Sequence, residues 1–177
     1  MGVKGLVLVY TGGGKGKTTA ALGLALRATG YGHRTCMIQF IKGSWHYGET
    51  DSAKRLEPEF ELIPAGEGFV GIMDDTSSID VHREAARQAL KLCRERITSD
   101  RYETIILDEI NYAIKLELIG ADEVISLIRE KPARLNLVLT GNHAVPKILD
   151  MADLVTEMRE IKHPFKSGIR ARRGIDF

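Results

Sequence analysis

The chain has 177 residues, 44% of them hydrophobic and 28% charged, and its 25 lysines and arginines nearly balance its 24 aspartates and glutamates. A chain of this length buries about 70% of its unfolded surface in one compact domain, so it needs no disulfide or structural metal. The net charge of +1 excludes a polybasic nucleic-acid binder and an acidic tail protein as first interpretations.

The N-terminal residues enter a short apolar run directly, without the long apolar core and cleavage site of a secretory signal. No apolar stretch reaches the ~20 residues that a membrane span needs. The two cysteines, Cys36 and Cys93, form no Cys-x-x-Cys pair and no Cys/His spacing, which disfavours zinc and disulfides and is typical of a reducing cytosol. We therefore expect a cytoplasmic protein that binds neither membranes nor nucleic acid.

Apolar runs and helical patterns alternate along the chain. Residues 5–10 form a short apolar run that glycines end, which predicts a strand buried on both faces. In a helix over residues 17–29, small apolar residues would cover most of the circumference, and Gly30 and Gly32 would end it. This pattern predicts a buried helix. Further strand-like runs lie at 34–40, 104–107 and 135–139, with a weaker one at 154–158, and helix-period patterns lie at 80–97 and 121–128. This order predicts an α/β domain whose mostly parallel central sheet is covered by helices on both faces.

Two regions depart from the alternation. Residues 42–80 carry aromatic, glycine-rich and polar segments with at most one strand, near residues 60–63. A connection of this length is usually functional when it is not disordered. Residues 159–177 form a basic tail punctuated by proline and glycine. A solvated segment and a segment that contacts phosphate or a partner fit this tail equally well.

A glycine-rich loop stands between the first strand and the first helix. Its glycines let backbone N–H groups converge on an anion, Lys17 adds a full charge, and Thr18 can place a hydroxyl on Mg²⁺. The pattern is a P-loop variant, since Thr11 stands where the standard motif has glycine, and it lacks the glycine spacing of a dinucleotide fingerprint. The alternative is a glycine-rich turn without a ligand. The predicted polyphosphate-binding residues are Gly12, Gly13, Gly14, Lys15, Gly16, Lys17, Thr18 and Thr19.

Asp108 and Glu109 follow the apolar run 104–107, and the carboxyl end of such a strand lies near the phosphate loop in a parallel sheet. We predict that these carboxylates join Thr18 in a magnesium site. One binds the metal directly or through water, and the other polarises a water or holds a loop. The alternative is a helix start with Asp108 as its N-cap and Glu109 in the first turn. The five histidines show no metal-ligand spacing, are expected mostly at the surface or in loops, and include no assigned catalytic base.

Several motifs, taken in order, resemble one family. They are the phosphate loop continued through 20–27, Gln-Phe-Ile-Lys-Gly at 39–43, Gly-Glu-Gly-Phe at 66–69, Leu-Asp-Glu-Ile-Asn-Tyr at 107–112, Leu-Thr-Gly at 139–141, Ala-Asp-Leu-Val-Thr-Glu-Met at 152–158, Lys-His-Pro-Phe at 162–165 and Gly-Ile at 168–169. Along nearly its whole length the chain resembles the P-loop ATP:corrinoid adenosyltransferases, the enzymes that make adenosylcobalamin and its precursors. The variant phosphate loop is itself a trait of that family. The resemblance implies a single P-loop NTPase (RecA-like) domain over residues 1–177, with 159–177 as its basic tail.

Four positions depart from the family pattern. Gly71 stands where tryptophan is frequent, Asn142 where arginine follows Thr-Gly, Val145 where proline occurs and Arg172 where glutamine is common. The first departure concerns the contacts with the corrin face. The second removes a cation from the triphosphate region, for which Lys15 or a tail arginine could compensate.

The resemblance implies an unusual reaction for a P-loop protein. A corrinoid reduced to Co(I) attacks C5′ of ATP and displaces the whole triphosphate, so the protein needs no general base. Its work is to align cobalt with C5′ and to stabilise the leaving group with Lys17, backbone amides, Lys15 and Mg²⁺ or Mn²⁺. The family binds its nucleotide in the direction opposite to that of most P-loop proteins.

Phe69 matches the apolar aromatic wedge with which similar enzymes hold Co(II) without its lower axial ligand. With Lys17 it completes the pair of predicted catalytic residues. Trp45 and Tyr47 are less favoured for covering the corrin, because buried loop aromatics more often pack against the core. The resemblance further implies a reduced flavoprotein or similar electron donor, and a homodimer.

Two other functions stay open at this point. An ordinary phosphotransferase or ATPase would use Glu109 to position water or a substrate hydroxyl and would release ADP. A kinase of the thymidine-kinase type is disfavoured, because its four zinc-binding cysteines are lacking. A nucleotide-binding switch module that holds a partner or nucleic acid through the basic tail is disfavoured by the near-zero net charge.

Overall fold

The computed structural model describes residues 4–43, 45–71 and 75–177, and residues 1–3, 44 and 72–74 of the predicted domain lie outside this description. In the described residues, six strands cover Val7–Thr11 (β1), Thr35–Gln39 (β2), Phe60–Pro64 (β3), Thr104–Asp108 (β4), Asn136–Thr140 (β5) and Leu154–Glu157 (β6). Six α-helices cover Lys17–Thr29 (α1), Gly48–Arg55 (α2), Ile79–Thr98 (α3), Ile110–Lys115 (α4), Ala121–Glu130 (α5) and Pro146–Leu149 (α6), and a 3₁₀ helix covers Pro164–Ser167. None of these helices combines the length and apolarity needed to cross a bilayer.

The strands form one sheet in the order β3-β2-β4-β5-β1-β6, and every pairing is parallel. Parallel neighbours need crossover connections, which the helices supply. Because the strands run in the same direction, the ends of β1, β2, β4 and β5 all meet at one edge of the sheet. The α/β class and the parallel sheet predicted from the alternation are confirmed.

Alternate residues of the central strands face two separate hydrophobic clusters. Met37 and Ile106 pack on one face with Ala21 and Ala25 of α1. Ile105 points to the other face, where the cluster includes the buried apolar residues of α3 and α5. Burial on both faces explains why these strands read as unbroken apolar runs rather than as alternating patterns. The edge strand β6 is different, since all four of its residues are exposed.

The long region 42–80 contains more regular structure than its sequence predicts. The strand expected near residues 60–63 is β3, but helix α2 was not predicted. Only Ala53 is buried among the eight residues of α2, so this helix carries no apolar periodicity to detect. Helix α4 was foreseen only as an alternative that starts one residue earlier, with Asp108 rather than Glu109 as its N-cap. Helix α6 was not predicted, because it is only four residues long.

His82 is buried in α3 rather than exposed, and its Nε2 atom lies 3.1 Å from both carboxylate oxygens of Asp75. Asp75 also accepts hydrogen bonds from the backbone N–H groups of Gly71 (2.7 Å) and Ser77 (3.0 Å). These backbone bonds, the one from Gly71 first, lower the pKa of Asp75. The network ties Gly71 to the start of α3 and gives His82 a structural role.

Candidate active site

The glycine-rich loop lies between β1 and α1, as predicted, and its glycines are needed for two reasons. Gly12 and Gly16 have φ angles of 95° and 107°, a left-handed conformation that other residues rarely adopt. A Cβ at Gly12 would lie 2.5 Å from the carbonyl oxygen of Met158, and one at Gly14 would lie 2.8 Å from the same atom. The loop is therefore closely packed against the chain that follows β6.

Lys17 opens α1, and its ammonium group donates to the carbonyl oxygens of Gly12 (2.9 Å) and Gly14 (2.7 Å). The side chain thus folds over the loop. The first N–H groups of an α-helix have no partner within the helix, and together with the helix dipole they favour an anion. Gly13 and Thr19 are exposed, so the loop is open to a ligand.

Asp108 ends β4 and is completely buried. Its Oδ1 atom accepts hydrogen bonds from the hydroxyls of Thr18 (2.9 Å) and Thr140 (2.7 Å), and its Oδ2 atom accepts one from Nε2 of Gln39 (3.1 Å). Burial raises the pKa of Asp108, while the hydrogen bonds act in the opposite direction. The alternative of Asp108 as a helix N-cap is wrong, because its carboxylate binds the phosphate-loop threonine and two strand residues instead.

Glu109 follows directly and holds a left-handed backbone with a φ of 60°. Its N–H donates to the hydroxyl of Thr140 over 2.9 Å. Burial, and then the neighbouring charge of Asp108, raises the pKa of Glu109 to about 7, although Lys17 and Lys42 lower it. The structure thus brings the predicted carboxylates to the same edge of the sheet as the phosphate loop.

Lys42 is a cation of this edge to which the sequence analysis gave no role. Its ammonium group is ion-paired with Glu49, and both side chains are only 14% exposed. It also lies 4.2 Å from the ring centroid of Tyr47, which is a cation–π distance. Gln39 and Thr140 were missed in the same way. The sequence feature that Gln39 and Thr140 share is a polar residue at the end of a buried strand. Such residues lie close together because the ends of parallel strands meet at one edge of the sheet.

Phe69 lies on the loop after β3, and this loop is tied to the loop after β2 by backbone bonds. Three backbone N–H groups donate to carbonyl oxygens: that of Ala65 to Gln39 (2.9 Å), that of Gly66 to Lys42 (3.1 Å) and that of Gly68 to Ile41 (3.0 Å). Phe69 is half-buried and packs against the larger core cluster. Of the two other loop aromatics, Tyr47 is buried, as expected for core packing, whereas Trp45 is 47% exposed.

The side chains of Lys15 and Asn142 differ in their polar contacts. The ammonium group of Lys15 contacts the carboxylate of Asp176 in the tail, and the Lys15 side chain is 51% exposed. Asn142 follows β5, and among the described residues its Oδ1 atom is buried without a hydrogen-bond partner. The loop lysine is thus engaged by protein, while Asn142 presents an unsatisfied acceptor.

The oxygen atoms of Thr18 and Asp108 suit a hard cation. Mg²⁺ prefers oxygen ligands and usually takes only one or two from protein, with water and phosphate supplying the rest. Within residues 4–43, 45–71 and 75–177 there is no group of three or more His, Cys, Asp or Glu residues that could hold a metal alone. Cys36 and Cys93 are free and buried. The site therefore fits a metal that arrives with a polyphosphate.

Comparison with known proteins places the chain in a family. Residues 3–177 match the family model described as ATP:corrinoid adenosyltransferase BtuR/CobO/CobP. The chain belongs to this family. Proteins named corrinoid adenosyltransferase share 33% identity with it in Escherichia coli K12, over 98% of this chain and 86% of that protein, and 40% in Sinorhizobium sp., over 98% and 81%. The resemblance predicted from the motifs is confirmed.

Solved structures add the fold of this ATP:corrinoid adenosyltransferase family member. The flagellar accessory protein FlaH from Methanocaldococcus jannaschii superposes with a TM-score of 0.58 at 14% identity, over 86% of this chain and 70% of that one. A KaiC-like protein from Pyrococcus horikoshii OT3 gives a TM-score of 0.50 at 15% identity, over 91% and 76%. At such identities the likeness concerns the fold alone, and it agrees with the parallel α/β sheet described above.

Proposed function

We propose that this family member transfers the 5′-deoxyadenosyl group of ATP to the Co(I) centre of a reduced corrinoid, in adenosylcobalamin biosynthesis or salvage. An electron pair on Co(I) forms the cobalt–carbon bond while the bond between C5′ and oxygen breaks, and that bonding pair leaves with triphosphate. The observation that carries the proposal is the contact of Thr18 with Asp108 beside Lys17, in a chain that the family model matches almost from end to end.

The phosphate loop holds the leaving group. Lys17, the first-turn amides of α1 and the glycine-loop amides supply positive charge where the triphosphate gains negative charge, which is how preorganised donors lower a barrier. Lys17 already lies over the loop, where its ammonium group donates to the carbonyl oxygens of Gly12 and Gly14. Binding that aligns C5′ with the cobalt lowers the entropic part of the barrier and so raises the rate.

Thr18 and Asp108 are the residues that would hold Mg²⁺, with Glu109 beside them as a second carboxylate. When bound with the nucleotide, the ion supplies further positive charge to the triphosphate. Asp108 is kept in place by Thr140 and Gln39, so its carboxylate stays directed at Thr18. Loss of such supporting hydrogen bonds typically lowers metal affinity by about 10- to 100-fold.

Phe69 is assigned to the corrin side of the site. The locked loops after β2 and β3 hold its position at the edge of the sheet where the phosphate loop also lies. We further propose that a reduced flavoprotein or similar donor supplies the electron, that the enzyme acts as a homodimer and that it works in the cytoplasm. The electron donor and the homodimer rest on the family resemblance, whereas the cytoplasmic location rests on the cysteine pattern and the apolar runs of the sequence.

One observation favours a second candidate, a phosphotransferase or ATPase that transfers the γ-phosphate. The pKa of Glu109, near 7, suits a general base that activates water or a hydroxyl. The two candidates differ in their products, since adenosyl transfer gives triphosphate and phosphoryl transfer gives ADP.

The deciding experiment combines the protein with ATP, Mg²⁺ and chemically reduced corrinoid. We expect a light-sensitive cobalt–carbon product and an equal amount of triphosphate. Separate reactions with cobalamin, cobinamide and a cobyrinic acid diamide would identify the preferred corrinoid. Formation of ADP with unaltered corrinoid would instead establish the second candidate.

A further inference from the structure

The tail of the chain folds back over the phosphate loop. The carbonyl oxygen of Met158 accepts a hydrogen bond from the N–H of Gly14 over 2.7 Å, and the N–H of Met158 donates to Thr11 over 2.8 Å. A Cβ at Gly14 would also lie 2.8 Å from the carbonyl carbon of Arg159. The loop therefore already has one backbone amide engaged by the residues that lead into the tail.

The tail returns to the same loop through Asp176. One carboxylate oxygen of Asp176 contacts the ammonium group of Lys15, and the other accepts the N–H of Arg172 over 2.8 Å. The N–H of Asp176 donates to the carbonyl of Arg172 over 2.8 Å, and Gly174 between them has a φ of 75°. This closed turn holds the carboxylate in a fixed position, and the Asp176 side chain is only 18% exposed.

A carboxylate beside a phosphate-loop lysine opposes the charge that the loop offers to an anion. The loop gathers positive charge for an anion, and Lys15 is one of the cations it offers. An anion already seated on Lys15 neutralises part of that charge. A polyphosphate must displace this carboxylate before it can bind Lys15. The free energy of the Lys15–Asp176 pair therefore lowers the apparent affinity of the site for the polyphosphate.

We propose that Asp176 is an intramolecular competitor for the polyphosphate, and that it limits how tightly the site holds the triphosphate it produces. The inference rests on the proposed function, because it takes the loop to be the triphosphate site. When ATP binds, its phosphates take Lys15 from Asp176. After transfer, the carboxylate regains Lys15 and favours release of the charged product.

The test measures the binding of inorganic tripolyphosphate, with Mg²⁺, by isothermal titration calorimetry. Asp176→Asn removes the charge but keeps an oxygen that can accept the N–H of Arg172. We expect this variant to bind tripolyphosphate roughly two- to fivefold more tightly, as partly exposed ion pairs are of this strength. Glu160→Gln is the matched control, since Glu160 is the tail carboxylate that pairs with Lys166 instead, and its affinity should equal that of the unmodified protein.

A double-mutant cycle with Lys15→Ala separates competition from a structural effect of the tail. If Asp176 acts through Lys15, the gain from Asp176→Asn should disappear in the Lys15→Ala background. Unchanged or weaker binding by Asp176→Asn, or an equal gain in both backgrounds, would overturn the inference. If the unmodified protein binds no tripolyphosphate, the phosphate-loop assignment itself fails, so this result tells the two failures apart.

Discussion

The hydroxyl of Thr18 donates a hydrogen bond to Oδ1 of Asp108 over 2.9 Å, which joins the first turn of α1 to the end of β4. Two oxygen atoms suited to Mg²⁺ are thus held together by the fold. Because Asp108 also receives bonds from Thr140 and Gln39, its position does not depend on Thr18 alone. Substitution of Thr18 should therefore remove one candidate metal ligand without displacing Asp108.

Removing the Thr18 hydroxyl should weaken metal-dependent nucleotide binding. We expect Thr18→Val to lower the affinity for ATP roughly tenfold in the presence of Mg²⁺ and to have little effect without it. Thr18→Ser is the control, because it keeps the hydroxyl and should bind as the unmodified protein does. Titrations of ATP with and without Mg²⁺ measure the difference, and an equal loss under both conditions would argue against the metal role.

Removing the Lys17 ammonium group should abolish turnover while preserving the fold. Lys17→Ala loses two part-buried hydrogen bonds to loop carbonyls, so we expect a cost of about 1–3 kcal/mol in the free energy of unfolding. Adenosyl transfer should fall at least about 100-fold, since the charge on the leaving group is lost. Urea denaturation and the corrinoid assay measure the two effects.

The control for this change is Lys91→Ala, which removes an exposed lysine on α3. It should leave both the free energy of unfolding and the rate unchanged. A Lys17→Ala enzyme that keeps the original rate would refute the phosphate assignment.

Truncating Phe69 should affect the reduction of cobalt more than the transfer step. We expect Phe69→Ala to slow adenosylation of Co(II) corrinoid with a reductase by on the order of tenfold, and that of preformed Co(I) much less. Phe165→Ala is a suitable control, because Phe165 is 75% exposed in the tail. Equal losses with Co(II) and Co(I) would contradict the axial-wedge role and leave Phe69 as a packing residue.

Glu109 should give the protein an unusual dependence of stability on pH. Its pKa rises from 4.5 to about 7 on folding, so the folded state binds the proton more tightly than the unfolded state does. The stability from this group is present in full below pH 4.5 and is lost as the pH rises through 7. We expect a loss on the order of 2 kcal/mol in the free energy of unfolding between pH 5 and 8, measured by urea denaturation.

Glu109→Gln removes this titration and should flatten the profile over the same range. Part of the slope should persist, because burial also raises the pKa of Asp108. Parallel profiles for the variant and the unmodified protein would show that Glu109 does not titrate in this window.

The phosphate loop could be predicted because all its parts are consecutive in the chain, from the glycines to Lys17 and Thr18. Helix α1 was found with its observed ends for the same reason, since its small apolar residues form a local pattern. Helix α2 could not be found, because its eight residues are almost entirely polar and only Ala53 is buried. Its position follows from packing and from the pair of Lys42 with Glu49.

By itself, the sequence determined the alternation of strands and helices, the anion-binding loop and the resemblance to one family, because each depends on residues close together in the chain. Only the tertiary structure decided what the polar residues meet. Asp108 contacts Thr18, Thr140 and Gln39 because parallel strands end at a common edge, and Lys15 meets Asp176 because the tail after β6 returns to the loop. Such contacts join distant segments, and it is the packing of the sheet that brings them within hydrogen-bonding distance.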